Sequence, residues 1–400
     1  MVRQSGDDLE SHALEIASER FFKKTPFREL AKRYNSTPST LHRRLEKWVK
    51  DRRFDLVDRI ARVTELDEQL GERLAKETQL RRALVARVSG VEEAFTEQYR
   101  KEPTTGDAVA AYKAGDELHR ALGEVGAEYV LGRLRQGMAI GLASGRGVGF
   151  TIIRLSDLAR NKPSWVSGYD KIQIWSLCGG AHVGTWATQT PRDLDADENA
   201  FALGSILGIP RGNVHYMYGW VSAYPADKQQ QQPSSPDHLD QAVVGLGQLN
   251  TRHHFLRHRG EDAQLDPMAE PLRRITEWQE KEDQLVYRVA EIGHTLFPVG
   301  GKKGLPEDFL AAINEINEVI RAVSPKVIME AGDVVLVAGG TQKLKALAEL
   351  AIGECPDAPV DLSNLTLVTD RRTAEEMLDL VGTRGRNARG DRPRTKPRQR

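Results

Sequence analysis

Cysteine is almost absent from the sequence, and so are long apolar runs. Cys178 and Cys355 are the only cysteines among 400 residues, and their spacing is not that of a metal site. This excludes a disulfide framework and fits a reducing compartment, with both thiols buried as small hydrophobic groups. The first residues have no apolar stretch suited to a signal peptide, and no segment approaches the roughly 20 apolar residues of a membrane span. We therefore expect a cytoplasmic protein that does not contact a membrane.

A net charge is also lacking, because Lys and Arg together number 57 and so do Asp and Glu. With 40% hydrophobic residues, this is the composition of a soluble globular protein of two or three domains. The balance hides an uneven distribution, since twelve Lys or Arg residues lie between Arg20 and Arg53. This excess predicts a polyanionic partner for the N-terminal segment. Residues 383–400 are also basic and have no hydrophobic periodicity, which predicts a disordered tail.

The basic N-terminal segment has the length pattern of a helix-turn-helix. A helical stripe over residues 9–24 is followed by Thr25-Pro26, which we interpret as an N-cap with proline at the first helical position. A short second helix over residues 27–34, a turn at residues 35–37 and a third helix over residues 38–49 complete the pattern. The sequence therefore predicts a DNA-reading module.

The third helix separates an apolar stripe from a polar face. Short hydroxyl groups come first on the polar face and long cations follow, an order that suits base edges and phosphates in a major groove. The stripe consists of Leu41, Leu45, Trp48 and Val49, and the residues predicted to contact DNA are Thr37, Ser39, Thr40, His42, Arg43, Arg44 and Lys47. The alternative is a small helical bundle whose charged face is merely solvated.

Strand patterns alternate with helix patterns beyond this segment. Several of the strands end in small residues, which predicts a parallel sheet whose strand ends share one crevice. The predicted strands are 83–88, 138–142, 171–177, 241–248 and 333–337, and the predicted helices are 66–74, 115–135, 150–158, 199–207 and a segment from Leu344. The fold class is therefore α/β, with a helix-turn-helix domain (1–55), a Rossmann-like parallel-sheet domain (56–382) and the basic tail (383–400).

Two glycine-containing turns between a strand and a helix are candidates for anion binding. Residues 339–343, Gly-Gly-Thr-Gln-Lys, follow a β-branched run and precede an apolar-periodic helix. Such a turn directs free backbone N–H groups and one lysine at an anion. The glycine-rich loop at residues 143–149 shares the arrangement of strand, loop and helix. Glycines at such turns also serve tight packing, which is the alternative for the second loop.

In their order along the chain, these pieces resemble the SorC family of sugar-responsive bacterial transcription regulators. The resemblance covers nearly the whole chain and rests on the helix-turn-helix and on segments 140–146, 177–180, 244–247 and 337–343. It implies an effector domain similar to sugar-phosphate isomerases, a sugar or sugar-phosphate bound at the strand ends, and a homo-oligomer, either a dimer or a tetramer. The effector-binding residues that it implies are Ser144, Gly145, Arg146, Gly147, Gly179, Gly180, Gln248, Glu291, Gly339, Gly340, Thr341 and Lys343, with His294 as a further contact.

The chain departs from the usual pattern of that family at several of these positions. Gly147 stands where a hydroxyl residue is expected, Ser144 where an aromatic is frequent, Cys178 where asparagine is common, and Glu291 replaces a shorter carboxylate. These differences imply an altered phosphate contact. The effector is then an unusual sugar, an unphosphorylated polyol or another small anion.

Together these features predict a transcription regulator that binds double-stranded operator DNA under effector control, without enzymatic activity, cofactor or metal. The alternative is a sugar-phosphate isomerase or deaminase with an appended DNA-binding domain, and a third hypothesis is a nucleoid or RNA-associated protein that uses both basic ends. No carboxylate pair or Asp-His arrangement suited to catalysis is evident at the strand ends. His253, His254 and His258 form the nearest approach to a metal cluster, but no further ligand accompanies them.

Overall fold

The structure is a computed structural model that describes residue 16 and residues 26–50, 65–87, 105–161, 169–179, 195–217, 235–248, 268–281, 289–302, 304–340 and 343–388. Residues 1–65 and 66–400 form two compact units. The helices are α1 (Phe27–Arg33), α2 (Pro38–Lys50), α3 (Glu68–Glu77), α4 (Thr105–Leu131), α5 (Arg146–Asn161), α6 (Ala196–Leu207), α7 (Ala269–Lys281), α8 (Glu307–Val319), α9 (Pro325–Met329), α10 (Leu344–Ala351) and α11 (Arg371–Ala388). The strands are β1 (Glu65–Leu66), β2 (Arg82–Arg87), β3 (Ala139–Leu142), β4 (Gln173–Ser176), β5 (Val214–His215), β6 (Gln241–Gly245), β7 (Gly247–Gln248), β8 (Val289–Ile292), β9 (Thr295–Pro298), β10 (Val334–Val337) and β11 (Leu365–Asp370).

The large sheet of the second unit confirms the predicted α/β class. Its strands follow the order β1-β2-β11-β10-β6-β3-β4-β5, and the pairs from β2 to β5 are parallel. The central strands are buried on both faces, which explains their continuous apolar runs. In β10, for example, Val334 and Leu336 belong to the hydrophobic core on one side, whereas Val335 and Val337 belong to the core on the other.

Helix α4 crosses one face of this sheet in the direction opposite to the strands. Near its C-terminal end, the Tyr129 hydroxyl lies 2.9 Å from Thr366 Oγ1 and 3.3 Å from Asp333 Oδ1, where β11 and β10 begin. Earlier in the helix, Leu122 Cδ1 would lie only 2.9 Å from a Cβ atom added to Gly339, which follows the end of β10. The N-terminal part of α4 therefore lies toward the C-terminal edge of the sheet.

A small antiparallel sheet, β7-β8-β9, adjoins the end of β6. The predicted strand 241–248 divides at Leu246, so that β6 pairs in the large sheet and β7 pairs with β8. Strands β8 and β9 form a hairpin whose two-residue loop, Gly293-His294, has φ of 56° and 64°. Positive φ at both loop positions is the geometry that matches the twist of a hairpin, but it is uncommon for histidine.

Several predicted helix bounds are wrong. Helix α4 covers Thr105–Leu131 rather than residues 115–135, α6 begins at Ala196 rather than at residue 199, and α11 extends to Ala388, inside the predicted disordered tail. Two further helix starts are wrong by one or two residues. Pro26 is the N-cap of α1 rather than its first helical residue, and the helix begins at Phe27. Helix α3 begins at Glu68, because Leu66 belongs to β1 and the Asp67 side chain caps the helix by accepting a hydrogen bond from the backbone of the third residue on. No helix among the described residues is long and apolar enough to cross a membrane.

Candidate functional site

The predicted effector-binding segments meet at one edge of the large sheet. Strands β10, β6, β3 and β4 are neighbours and run parallel, so their C-terminal ends lie side by side. Two or three residues beyond these ends, in the same order, come Gly339, Gly247, Ser144 and Gly179. This edge is where open α/β sheets bind their ligands. We call it the strand-end site.

Ser144 and His294 join the β3–α5 loop to the tip of the β8–β9 hairpin. Ser144 Oγ lies 3.0 Å from Nε2 of His294, and the backbone N–H of His294 donates to Oε1 of Glu291 over 2.8 Å. His294 and Glu291 are both buried. The hairpin tip is thus held in its positive-φ conformation by side chains of the site, and residues distant in sequence form one polar group.

Cys178 lies beside this group. Burial raises the pKa of its thiol well above the usual value. The negative charge of Glu291 raises this pKa further, whereas hydrogen bonding with Ser144 lowers it. The thiol therefore remains protonated and unreactive, as predicted. The adjacent Gly179 donates its backbone N–H to the carbonyl oxygen of Arg321 over 2.9 Å, so this N–H is engaged within the protein.

The turn after β10 differs from the predicted cradle of free N–H groups. The backbone N–H of Gly340 donates to Asp370 Oδ2 and to Thr373 Oγ1, each over 2.9 Å. A Cβ atom added to Gly339 would lie 2.4 Å from the same carboxylate oxygen. The prediction of a free N–H is therefore wrong for Gly340, because the end of β11 brings a buried carboxylate under the turn. Gly340 has φ of 93°, which glycine adopts without strain.

Lys343 is the residue that precedes α10, as predicted. The residue as a whole is only half-buried, yet its ammonium group is enclosed by protein atoms. The pKa of Lys343 is lowered to about 8, first by this burial and then by the positive charge of Arg146, while the negative charge of Glu291 partly offsets both. Lys343, Arg146 and Glu291 thus act on one another electrostatically at the strand-end site.

The glycine-rich loop after β3 is shorter than predicted. Helix α5 begins at Arg146 rather than at residue 150, which leaves only residues 143–145 as a loop. Gly147 therefore lies in the first turn of α5, where an added Cβ atom would meet the carbonyl oxygen of Val337 at 2.8 Å. Its role in the fold is close packing of α5 against β10, which was the alternative interpretation of this loop. Gly145 keeps a positive φ of 113° and is exposed.

Two buried polar residues near this edge were not found from the sequence. Asn199 of α6 donates from Nδ2 to the carbonyl oxygen of Ala143 over 3.0 Å, so it positions the β3–α5 loop. His119 of α4 is buried, and burial lowers the pKa of its imidazole well below the usual value, as do the positive charges of Lys343 and Arg146. The available signal for His119 was its position beside Leu118 and three residues before Leu122, at the edge of the apolar side of a predicted helix.

Several predicted residues lie outside the described part of the chain. Gly180 and Thr341 are among them, as are residues 253–258 with their three histidines, and the side chains of Gln248 and Lys47 are not described. Within the described residues, no three His, Cys, Asp or Glu side chains are arranged to hold a metal ion. For the residues outside the described part of the chain, the roles given in the sequence analysis stay predictions.

The first unit contains the predicted short helix, turn and longer helix. Asn35, with φ of 45°, ends α1, and the Ser36 N–H donates to the carbonyl oxygen of Ala31 over 2.8 Å. Thr37 then caps α2, because its Oγ1 accepts from the Thr40 N–H over 3.1 Å. The hydroxyl of Thr37, predicted to contact DNA, therefore already has a role within the helix.

The two faces of α2 are as the sequence predicts where they are described. Leu41 and Leu45 are buried in a small hydrophobic core. Its other members are Ile16, Leu30, Ala31 and Tyr34. On the opposite face, Ser39, His42 and Arg43 are exposed, while Thr40 and Arg44 are partly buried. The exposed face offers one hydroxyl, one imidazole and one guanidinium within two helical turns.

Comparison with known proteins finds likeness in structure alone. No family model and no curated protein matches the chain. The sorbitol operon regulator SorC of Klebsiella pneumoniae is similar over 93% of this chain and 100% of its own, with 16% identity and a TM-score of 0.49. A sugar-binding domain of a transcriptional repressor from Vibrio fischeri matches 78% of this chain and 99% of its own (15% identity, TM-score 0.49). A DeoR family transcriptional regulator from Listeria monocytogenes matches 78% and 98% (16% identity, TM-score 0.49).

Proposed function

We propose that this protein is a DNA-binding transcription regulator whose operator affinity is controlled by a small anionic or sugar-like effector. The first unit would read DNA through α2, and the second would bind the effector at the strand-end site. We further propose that it acts in the cytoplasm as a homo-oligomer, a dimer or tetramer, because paired recognition helices bind half-sites one helical turn apart.

The exposed face of α2 is the observation that carries this proposal. Arg43 projects from a short helix that Leu41 and Leu45 anchor to α1. A rigid helix with a solvent-facing guanidinium is the element that enters a major groove in helix-turn-helix proteins. A purely structural bundle would also expose Ser39, His42 and Arg43, so sequence-specific binding to DNA is the property that distinguishes the two.

The strand-end site supports the effector half of the proposal. Its Arg146 and Lys343 are two cations held close enough to depress the pKa of the lysine. Like charges held together favour the binding of an anion, and the negative charge of Glu291 offsets their effect on the lysine only in part. Around them, Ser144 and His294 provide donors and acceptors of the kind that sugar hydroxyls require.

The direct test is selection of bound fragments from a pool of random double-stranded DNA, using the full-length protein. We expect a symmetric consensus sequence, protected in a footprint, whose affinity changes about 5- to 150-fold when the correct sugar or sugar phosphate is added. The effector must bind one state of the protein better than the other to have this effect. Uniform, salt-sensitive binding without sequence preference would overturn the proposal in favour of a nucleoid or RNA-associated protein.

A second candidate function is catalysis on a sugar phosphate, which the Ser144–His294 pair favours. A hydroxyl within 3.0 Å of an imidazole nitrogen is the arrangement of an activated nucleophile or a proton shuttle. Against it, Glu291 accepts the backbone N–H of His294, whereas the orienting carboxylate of a catalytic group accepts from the imidazole ring. Turnover of a pure panel of sugar phosphates, measured on the full-length protein and on Ser144→Ala, distinguishes the two functions.

A further inference from the structure

His119 lies on the face of α4 that covers the end of β10. It precedes Leu122 by three residues, so the two side chains share one face of the helix. Leu122 packs against Gly339 just beyond the end of β10. Because α4 runs opposite to the strands, His119 lies about one turn beyond Leu122 in the direction of the segment that leads to Lys343.

The imidazole of His119 is buried and incompletely hydrogen-bonded. Only 5% of the residue is exposed, and within the described residues its Nδ1 atom has no hydrogen-bond partner. Buried polar atoms in folded proteins nearly always have a partner, and exceptions occur where a ligand, ion or water completes the set. A ligand bound at the strand-end site would supply a partner for this atom.

The charges that act on His119 are predominantly positive. Arg146, at the start of α5, and Lys343, in the segment before α10, both act on it electrostatically. Glu291 contributes a negative charge that acts on Lys343 at the same site. Of the other described carboxylates, Glu124 is buried on α4 itself, and the carboxylate of Asp370 accepts hydrogen bonds from the backbone of Gly340 and from Thr373. Together with burial, the two cations hold the pKa of His119 well below its usual value, so the imidazole is neutral at neutral pH in the empty site.

We infer that His119 is a ligand-binding residue of the strand-end site, where it binds, together with Arg146 and Lys343, an oxyanion that carries two negative charges. The inference rests on the proposed function, because this oxyanion is the effector or a group on it. Three basic side chains from three different elements converge on one place, and a dianion such as a phosphate or sulfate group matches their combined charge.

Binding of a dianion by this group changes its protonation. Its negative charge favours the imidazolium form, so His119 takes up a proton, and the affinity rises as pH falls through the range between the free and bound pKa values of His119. Lys343, whose pKa is about 8 in the empty site, causes a separate loss of affinity above that pH. The two residues therefore control two different limbs of the pH profile.

Sulfate is the appropriate probe, because it remains a dianion throughout the useful pH range. Any proton taken up on binding is therefore bound by the protein and not by the ligand. Its dissociation constant is measured on the full-length protein by calorimetry between about pH 5.5 and about pH 9.5, at constant ionic strength set with NaCl. We expect the wild-type affinity to rise about fivefold or more between about pH 7.5 and about pH 5.5. In His119→Gln this low-pH limb is lost while the high-pH limb remains, and Lys343→Met shows the reverse.

His119→Asn serves as a second variant if glutamine disturbs folding, and His238→Gln, an exposed histidine of the same unit, is the matched control that keeps both limbs. If His119→Gln and His119→Asn bind sulfate with the wild-type pH profile, the inference is overturned and the proposed function stands. If neither sulfate nor inorganic phosphate binds, but an uncharged sugar releases the protein from its operator, the inference is overturned and the proposed function again stands. If no ligand of any class alters operator binding, the proposed effector control fails with it.

Discussion

The Asp370 carboxylate accepts the backbone N–H of Gly340 over 2.9 Å, although thirty residues separate the two along the chain. The same carboxylate accepts from the Thr373 N–H at Oδ1 over 2.9 Å and from the Thr373 hydroxyl at Oδ2 over 2.7 Å. One buried acid thus fixes both the turn after β10 and the first turn of α11. The turn that leads to Lys343 is held from below and is not an open cradle of N–H groups.

Replacement of Asp370 by asparagine should lower the free energy of unfolding by about 1–3 kcal/mol, because one carbonyl oxygen cannot accept donors at both Oδ positions and a buried donor loses its partner. Chemical denaturation measures the change. Asp361→Asn is the matched control, since Asp361 is exposed and its Oδ1 accepts only the N–H of Ser363, over 2.9 Å. Equal effects of the two variants would contradict a specific role for Asp370.

The family resemblance leads one to expect a hydroxyl residue at position 147, but introducing one should destabilise this protein. In Gly147→Ser the new Cβ would meet the Val337 carbonyl oxygen at 2.8 Å and its Cγ1 at 2.9 Å, which forces α5 away from β10. We expect a loss of about 1–3 kcal/mol in the free energy of unfolding, from overpacking. Gly212→Ser, where an added Cβ meets nothing within 4 Å, is the control and should be nearly neutral. A stable Gly147→Ser protein with tighter phosphate binding would argue against a packing role.

The Ser144–His294 contact should appear as a coupling energy in a double-mutant cycle. Ser144→Ala and His294→Asn remove the two ends of the 3.0 Å hydrogen bond, and asparagine tolerates the positive φ of 64° at position 294. We expect the double variant to be less destabilised than the sum of the single variants by about 0.5–1.5 kcal/mol. The pairing of Ser144→Ala with Asp361→Asn provides the additive reference. Additivity in both cycles would show that the loop and the hairpin tip are not coupled.

The sequence predicted those features that local patterns determine. The apolar, β-branched run of β10 followed by glycines identified a buried strand and its turn, and parallel pairing of the strands followed from their alternation with helices. The exposed and buried faces of α2 followed equally from helical periodicity, as Leu41 and Arg43 show. Here the residues that determine the structure are close together in sequence.

What the sequence could not predict depends on contacts between distant segments. The partner of the Gly340 N–H is Asp370, and only the pairing of β10 with β11 brings the two together. Gly147 looked like a loop glycine because its close approach to Val337 is invisible without the packing of α5. His119 resembled any other position beside the apolar side of an amphipathic helix, because its significance comes from charges on two other elements. Glu291 and His294 were proposed from the family resemblance, and no local pattern pointed to them.

Lys343 should destabilise the protein when no ligand is bound. Its pKa falls from 10.5 to about 8 on folding, so the unfolded chain binds more protons between these values and the stability of the wild type rises with pH there. Lys343→Met removes this cost and should raise the free energy of unfolding at neutral pH by about 1–3 kcal/mol, a figure at the lower end if the partial exposure of the residue screens the charge. The gain is fully present below about pH 8 and should vanish above about pH 10.5.

The measurement is urea denaturation across this pH range, with Lys345→Met as the matched control. Lys345 lies two residues further on and is exposed, so its replacement should leave stability unchanged at every pH. Loss of stability in Lys343→Met at neutral pH would mean that the ammonium group has a favourable partner within the protein. In that case the strand-end site would not be an anion site with unneutralised charge.

Arg43 should contribute directly to DNA recognition. It is exposed on α2, within one turn of the N-terminal hydroxyl residues, where a guanidinium can form a bidentate contact with a guanine. Arg43→Ala should weaken binding to the selected operator by about 1–3 kcal/mol and relax sequence preference at one base pair, while sulfate affinity and the melting temperature stay at wild-type values. Arg73→Ala removes the same charge from an exposed residue of the second unit that is paired with Glu77, and it should leave the operator affinity unchanged. Operator affinity is measured by fluorescence anisotropy at a fixed salt concentration. Equal losses of affinity in the two variants would mean that Arg43 contributes only its charge and does not contact a base specifically.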